Sequence, residues 1–306
     1  MQILYWFESI RSPLLDTLML ALTEFGGETA FLVAALIFYW CVDKRKGYYL
    51  MAVGFVGTVA NQFLKIICQV PRPWVRDPSF TAVEAAKEGA GGYSFPSGHS
   101  QTSVGTFGAI AVTSKQKWLR FVAIAIAVIV PITRMYLGVH TPADVLVGSG
   151  MAVLLLLLFR PLIFGHEGRY IKPMFLAMSA LAIAFVAFAE LFPFPADIDE
   201  HNLASCQKNA YTLLGTMLGM TIVYFYDEKV LRFSTQASIP GQIFKILGGL
   251  VVVLLVKEGM RAPLDALFGG HLIARSVRYF LIVLVAGMLW PMAFPGLSRL
   301  GKKAKK

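Results

Sequence analysis

Apolar residues run through this 306-residue chain in long blocks, with polar residues gathered between them. A helix that crosses a bilayer needs about 20 mostly apolar residues. Nine blocks approach that length: 28–42, 47–68, 98–115, 119–139, 141–161, 173–194, 208–226, 239–257 and 274–294, the first and third being short or interrupted. Ahead of them, residues 8–25 place Ile10, Leu14, Leu18, Leu22 and Phe25 at helical spacing beside Glu8, Asp16 and Glu24. That pattern predicts an amphipathic helix lying along the membrane surface. The expected fold is all-α: a polytopic membrane bundle of about nine transmembrane helices plus this N-terminal interfacial helix. The N-terminal stretch lacks a basic region followed by a small-residue cleavage site, so it is not read as a cleavable signal peptide.

Composition supports the membrane reading, because 57% hydrophobic and only 15% charged residues are outside the range of an ordinary soluble domain. Sixteen of the 28 Lys and Arg residues fall in 43–46, 114–120, 160–172, 227–238 and the tail from Arg299. With nine crossings all five segments share one side, which the positive-inside rule makes cytoplasmic, together with the C-terminus. The opposite side receives 69–97, 195–207 and 258–273. The formal charge of +10 thus reads as topology and contact with anionic lipid, and no nucleic-acid partner is expected. Cys41, Cys68 and Cys206 make no disulfide framework. No repeat or appended soluble domain interrupts the chain, which reads as a single membrane domain over 1–306, and nothing in it indicates a homo-oligomer.

Three polar clusters fall at the outward ends of these blocks. In the first, Lys65 stands near the end of a span and Arg72 precedes Pro73. A cation within a span is costly and points to a functional partner, although a lysine there can also snorkel to the interface. In the second, Pro96-Ser97-Gly98-His99, Ser97 can cap a helix whose free N–H groups and positive dipole end suit a phosphate. In the third are Arg134, His140 and Asp144, where Thr141, Pro142 and Asp144 also make a good helix start, so Asp144 has a capping reading beside a chemical one. By topology all of them reach one membrane face. Three fixed cations and a helix N-terminus suit a phosphoryl group in its ground and transition states, and two histidines can serve as nucleophile and general acid.

At these residues the chain resembles the type 2 phosphatidic acid phosphatase superfamily, which includes lipid phosphate phosphatases, glucose-6-phosphatase and the vanadium haloperoxidases. The family pattern is Lys, six residues, Arg-Pro; then Pro-Ser-Gly-His; then Ser-Arg, five residues, His, three residues, Asp. Lys65, Arg72 and Pro73, then Pro96 to His99, then Arg134, His140 and Asp144 match it in order and spacing, over about a quarter of the chain. Thr133 stands where the family usually has serine. The resemblance implies that His140 attacks phosphorus, that Asp144 holds its other ring nitrogen, and that His99 protonates the leaving group and then activates water. It also implies that Lys65, Arg72, Arg134, Ser97 and the Gly98 N–H hold the phosphate oxygens, with no metal and no cofactor. Residues 28–161 would then be the catalytic core and 173–294 additional transmembrane helices.

The expected substrate is a phosphomonoester or diphosphate of a membrane lipid, of the undecaprenyl diphosphate, phosphatidate or phosphatidylglycerol phosphate type. The site is expected on the extracytoplasmic face of a bacterial-type plasma membrane. Three alternatives stand beside this one: a glucose-6-phosphatase-like hydrolase of a soluble sugar phosphate, a lipid phosphotransferase, and a transporter or scaffold with an anion site. The stretch Asp197 to His201 offers a metal-site alternative, against which stands the simpler reading of a solvated acidic loop.

Overall fold

The computed structural model describes residues 1–195 and 198–300, and every regular element among them is helical. In chain order the helices are α1 (Gln2–Ser9), α2 (Pro13–Thr23), α3 (Glu28–Ile37), α4 (Lys44–Cys68), α5 (Pro73–Arg76), α6 (Glu84–Glu88) and α7 (Gly98–Thr113). They continue with α8 (Lys117–Tyr136), α9 (Pro142–Phe164), α10 (Ile171–Leu191), α11 (Glu200–Tyr226), α12 (Ile239–Gly259), α13 (Arg261–Leu267) and α14 (Ile273–Leu284).

Among the described residues six helical segments are long and apolar enough to cross a membrane: 44–76, 117–136, 142–164, 171–191, 239–267 and 273–297. A seventh crossing is available if 13–26 and 28–42, bent by 48°, count as one. The other two expected spans are helices as well but fall outside this set. α7 has only 16 residues and opens on Gly-His-Ser-Gln-Thr-Ser. In α11, polar residues such as Lys208, Asn209, Thr212 and Thr216 dilute the apolar run.

The expected surface helix over 8–25 is two helices. The break falls at Ile10 to Ser12, because Ser12 caps α2 by accepting from the Leu15 N–H and Pro13 takes the first helical position, where its missing donor costs nothing.

The chain divides into two compact units. The first comprises 1–34, 49–161 and 194–206. In it Tyr136, Leu137 and Val139, just before His140, are buried against Ala86 and Ala90 and covered by Phe7, Leu15, Met19 and Trp74. Polar clasps fix the same corner: Arg11 donates to the Tyr136 carbonyl at 3.0 Å and to the Thr81 carbonyl at 2.6 Å, and the Tyr136 hydroxyl donates to Asp16 at 2.8 Å. The second unit comprises 35–48, 162–193 and 207–306. There the Ser179 and Thr221 hydroxyls pair at 2.8 Å between α10 and α11, Phe175 stacks on Tyr224, and Lys44 meets the buried Asp227 at 2.6 Å.

Candidate active site

All eight residues singled out in the sequence lie in the first unit. α4 presents Asn61 and Lys65, one turn apart and so on one face, to the segment that leads into α7. The Asn61 amide donates to the Pro96 carbonyl at 3.3 Å, and the Lys65 ammonium donates to the Tyr93 carbonyl. The Ser97 N–H donates to the Asp144 carbonyl at 2.9 Å, which ties the start of α7 to the start of α9. Gly148 on α9 makes room for this approach, since a Cβ there would stand 2.5 Å from the Ser97 carbonyl oxygen.

Ser97 is the helix cap its sequence promised: its Oγ accepts from the Ser100 N–H at 3.3 Å and from the Ser100 hydroxyl at 2.9 Å, leaving its own proton to donate elsewhere. Gly98 and His99 form the first turn of α7 and are only partly buried, as is Lys65.

Arg72 is 6% exposed and uses four of its five N–H donors. Nε donates to the Gly92 carbonyl, Nη2 to the Gly91 carbonyl and Nη1 to the Val139 carbonyl, each at 2.9 Å. Nη1 also lies 3.0 Å from His140 Nε2. Because a guanidinium cannot accept, Nε2 must be the lone-pair nitrogen and Nδ1 must carry the proton. Nδ1 faces Asp144 Oδ2 at 3.5 Å. That distance is long for a hydrogen bond, and Nδ1 has no closer partner.

Asp144 is itself tightly held. Its Oδ2 accepts from the Ser94 hydroxyl at 2.6 Å and from the Thr141 N–H at 2.7 Å, while the Thr141 hydroxyl accepts from the Asp144 N–H at 3.3 Å. The capping and chemical readings of Asp144 therefore describe one geometry, in which the carboxylate that closes the first turn of α9 also faces His140.

Arg134 is 3% exposed; Nη1 donates to the Thr23 hydroxyl at 3.0 Å, and its buried Nε has no partner. Thr133, the departure from the family pattern, turns its hydroxyl to the Val130 carbonyl at 2.7 Å. His140 sits in the turn between α8 and α9, 2% exposed. Burial first, then the charges of Arg72, Arg134 and Lys65, with His99 adding to them, hold its pKa well below the ordinary imidazole value. The ring is thus neutral at neutral pH.

Four contributors were not singled out from the sequence. Asn61 was signalled only by its one-turn spacing from Lys65. Ser94 lies outside the quoted motif, and its bond to Asp144 spans fifty residues of chain. Gly91 and Gly92 act through backbone carbonyls, which no side-chain pattern announces. Of the acidic stretch 197–201, Asp197 lies outside the described residues, and among the described residues no three potential metal ligands gather. A cavity of about 860 Å³ in the second unit, lined by residues including Lys44, Arg45, Arg169, Asp227, Glu228 and Arg232, contains none of these eight residues.

Residues 45–167 match the model described as the PAP2 superfamily, and residues 211–303 match the PAP2 superfamily phosphatase transmembrane extension. The chain is 29% identical over 136 residues to an undecaprenyl-diphosphatase of Sulfolobus acidocaldarius, covering 44% of this chain and 64% of that protein. It is 29% identical over 168 residues to phosphatidylglycerophosphatase B of Bacillus subtilis, covering 49% of this chain and 76% of the other. It is 27% identical over 162 residues to a lipid A 4'-phosphatase of Bacteroides thetaiotaomicron, covering 48% and 69%. No solved structure matches.

Proposed function

We propose that this chain, which belongs to the PAP2 superfamily and stands among its phosphatases, removes a phosphoryl group from a phosphorylated membrane lipid. In this reaction His140 Nε2 attacks phosphorus as the bond to the leaving oxygen breaks, and His99 gives that oxygen its proton. Water, deprotonated by His99, then attacks the phosphohistidine, releasing inorganic phosphate and restoring His140. Asp144 keeps the Nδ1 proton facing it and stabilises the positive charge that develops on the ring. Lys65, Arg72, Arg134, the Ser97 hydroxyl and the Gly98 N–H hold the phosphate oxygens.

The observation that carries the reading is the placement of His140, with Nε2 3.0 Å from an Arg72 donor and Nδ1 turned to Asp144. Attack requires the Nη1 proton to swing from Nε2 onto a phosphate oxygen, a short movement that couples substrate arrival to release of the lone pair. The unpartnered Arg134 Nε supports the same pocket as a place for an anion.

A lipid substrate is favoured by the relatives, whose names specify an undecaprenyl diphosphate, a phosphatidylglycerophosphate and lipid A. The core proposed for this chemistry is 28–161, with 173–294 as additional membrane helices, and the separate matches at 45–167 and 211–303 support that division. The topology proposed with it adds 28–42, α7 and α11 to the six segments, making nine crossings. It leaves residues 8–25 at the interface with Leu14 and Leu18 exposed and puts the site on the extracytoplasmic face of the membrane.

The test is phosphate release by purified protein from a panel of lipid diphosphates, lipid monophosphates and sugar phosphates, with EDTA present, for wild type and His140→Ala. Turnover of a lipid phosphate that His140→Ala abolishes is expected. Release from sugar phosphates alone, or undiminished activity in the variant, contradicts the proposal.

A further inference from the structure

Arg278, in the span 273–297, is a guanidinium without a counter-charge. It is 8% exposed, its Nε is buried with no hydrogen-bond partner, and among the described residues no carboxylate lies within ion-pair distance of it. Its one aromatic neighbour of note is Tyr279, whose ring centroid lies 5.6 Å from the guanidinium carbon. An unpaired buried arginine in a membrane helix is costly, and proteins keep one where an anion meets it.

The surroundings are built to hold such an anion. Arg275, one turn earlier, donates from Nε to the Thr212 hydroxyl at 2.6 Å, and its guanidinium also lies beside Tyr279. Ser276 donates to the Tyr211 carbonyl at 2.6 Å, and a Cβ on Gly215 would collide with the Ser276 backbone, so α14 is seated directly on α11. Lys208, exposed and one turn before Thr212, shares that side of α11 by helical spacing. At 1.5 Å per residue, Arg278 lies about 7.5 Å from the start of α14, near one end of the span.

We propose that Arg278, with Arg275, forms an anion site on α14 for the headgroup phosphate of a membrane phospholipid, separate from the proposed chemistry at His140. The phospholipid is a resident ligand of the extension and is not turned over. This inference does not depend on the phosphatase reading, because neither arginine takes part in that reaction.

The test uses the full chain, stripped of lipid in a non-ionic detergent. It is titrated with dioleoylphosphatidylglycerol in mixed micelles and separately with inorganic phosphate. Native mass spectrometry counts bound lipid, and thermal unfolding reads stability. Wild type and Arg120→Gln, a change at an exposed arginine, should bind the lipid alike, and Arg278→Gln at least tenfold more weakly. Without lipid, Arg278→Met should melt no lower than wild type, since it removes an uncompensated charge; with lipid, wild type and Arg120→Gln should gain and Arg278→Met should not. Three results would each overturn the proposal. They are equal lipid binding by Arg278→Gln, a lipid-free Arg278→Met that melts well below wild type, and inorganic phosphate matching the lipid in raising wild type above Arg278→Met.

Discussion

Replacing Ser94 by alanine tests how Asp144 is aimed. The Asp144 Oδ2 atom accepts two hydrogen bonds, from the Ser94 hydroxyl at 2.6 Å and the Thr141 N–H at 2.7 Å, and faces His140 Nδ1 at 3.5 Å. Ser94 is fully buried, so no water replaces its proton without rearrangement. A hydrogen bond to a charged group contributes about 1.5–3 kcal/mol. If that interaction serves to orient the carboxylate toward a ring gaining positive charge, its loss raises the barrier by a similar amount, about 10- to 150-fold in kcat. KM should change little, because Ser94 touches no proposed phosphate ligand. Ser94→Thr keeps the hydroxyl and should recover most of the loss. The assay is steady-state phosphate release across substrate concentration for the two variants. A Ser94→Ala enzyme within twofold of wild-type kcat, or a loss confined to KM, refutes the reasoning.

Four further outcomes follow from the structure. Because the folded pKa of His140 lies below the ordinary value of about 6.5, the nucleophile stays unprotonated when a free imidazole would begin to charge. The acid limb that it contributes to kcat/KM should therefore fall below pH 6.5. On the stability side, the unfolded chain takes up this proton first as pH falls, so His140 should lower folding stability progressively from about pH 6.5 down to its folded pKa, measurable by thermal unfolding against pH. Gly148→Val drives a branched side chain into the Ser97 carbonyl, which a Cβ alone would approach to 2.5 Å, and should cost about 1–3 kcal/mol by thermal or denaturant unfolding along with much of the activity. Lys44→Met leaves Asp227 buried without its cation and should destabilise the second unit by about 3–5 kcal/mol, whereas pairing it with Asp227→Leu should restore much of the loss in a double-mutant cycle.

The residues that carry charge or a ring nitrogen were legible in the sequence because the bilayer penalises them, so each stands out against an apolar background. Lys65, Arg72, His99, Arg134, His140 and Asp144 stood out in this way, and the structure places His140 3.0 Å from Arg72 and 3.5 Å from Asp144. What holds them was not legible. Ser94 and Asn61 are ordinary polar residues whose partners lie far along the chain, and the carbonyls of Gly91 and Gly92 that anchor Arg72 leave no side-chain trace. The helices were also easier to find than their relation to a membrane. The expected surface helix over 8–25 breaks at Ser12-Pro13, a strong cap and start signal inside an otherwise continuous periodicity. α7 and α11 carry polar residues that dilute their apolar runs, and neither is among the segments long and apolar enough to cross a membrane.

Whether His140 bears the phosphoryl group is read by rapid acid-free quenching of wild type turning over a lipid substrate labelled with radioactive phosphate, followed by peptide mapping. An acid-labile, alkali-stable label is expected on the peptide containing His140, formed at least as fast as steady-state turnover and absent from His140→Ala. Full turnover with the label on another residue, or turnover that persists in His140→Ala, would exclude His140 as the nucleophile.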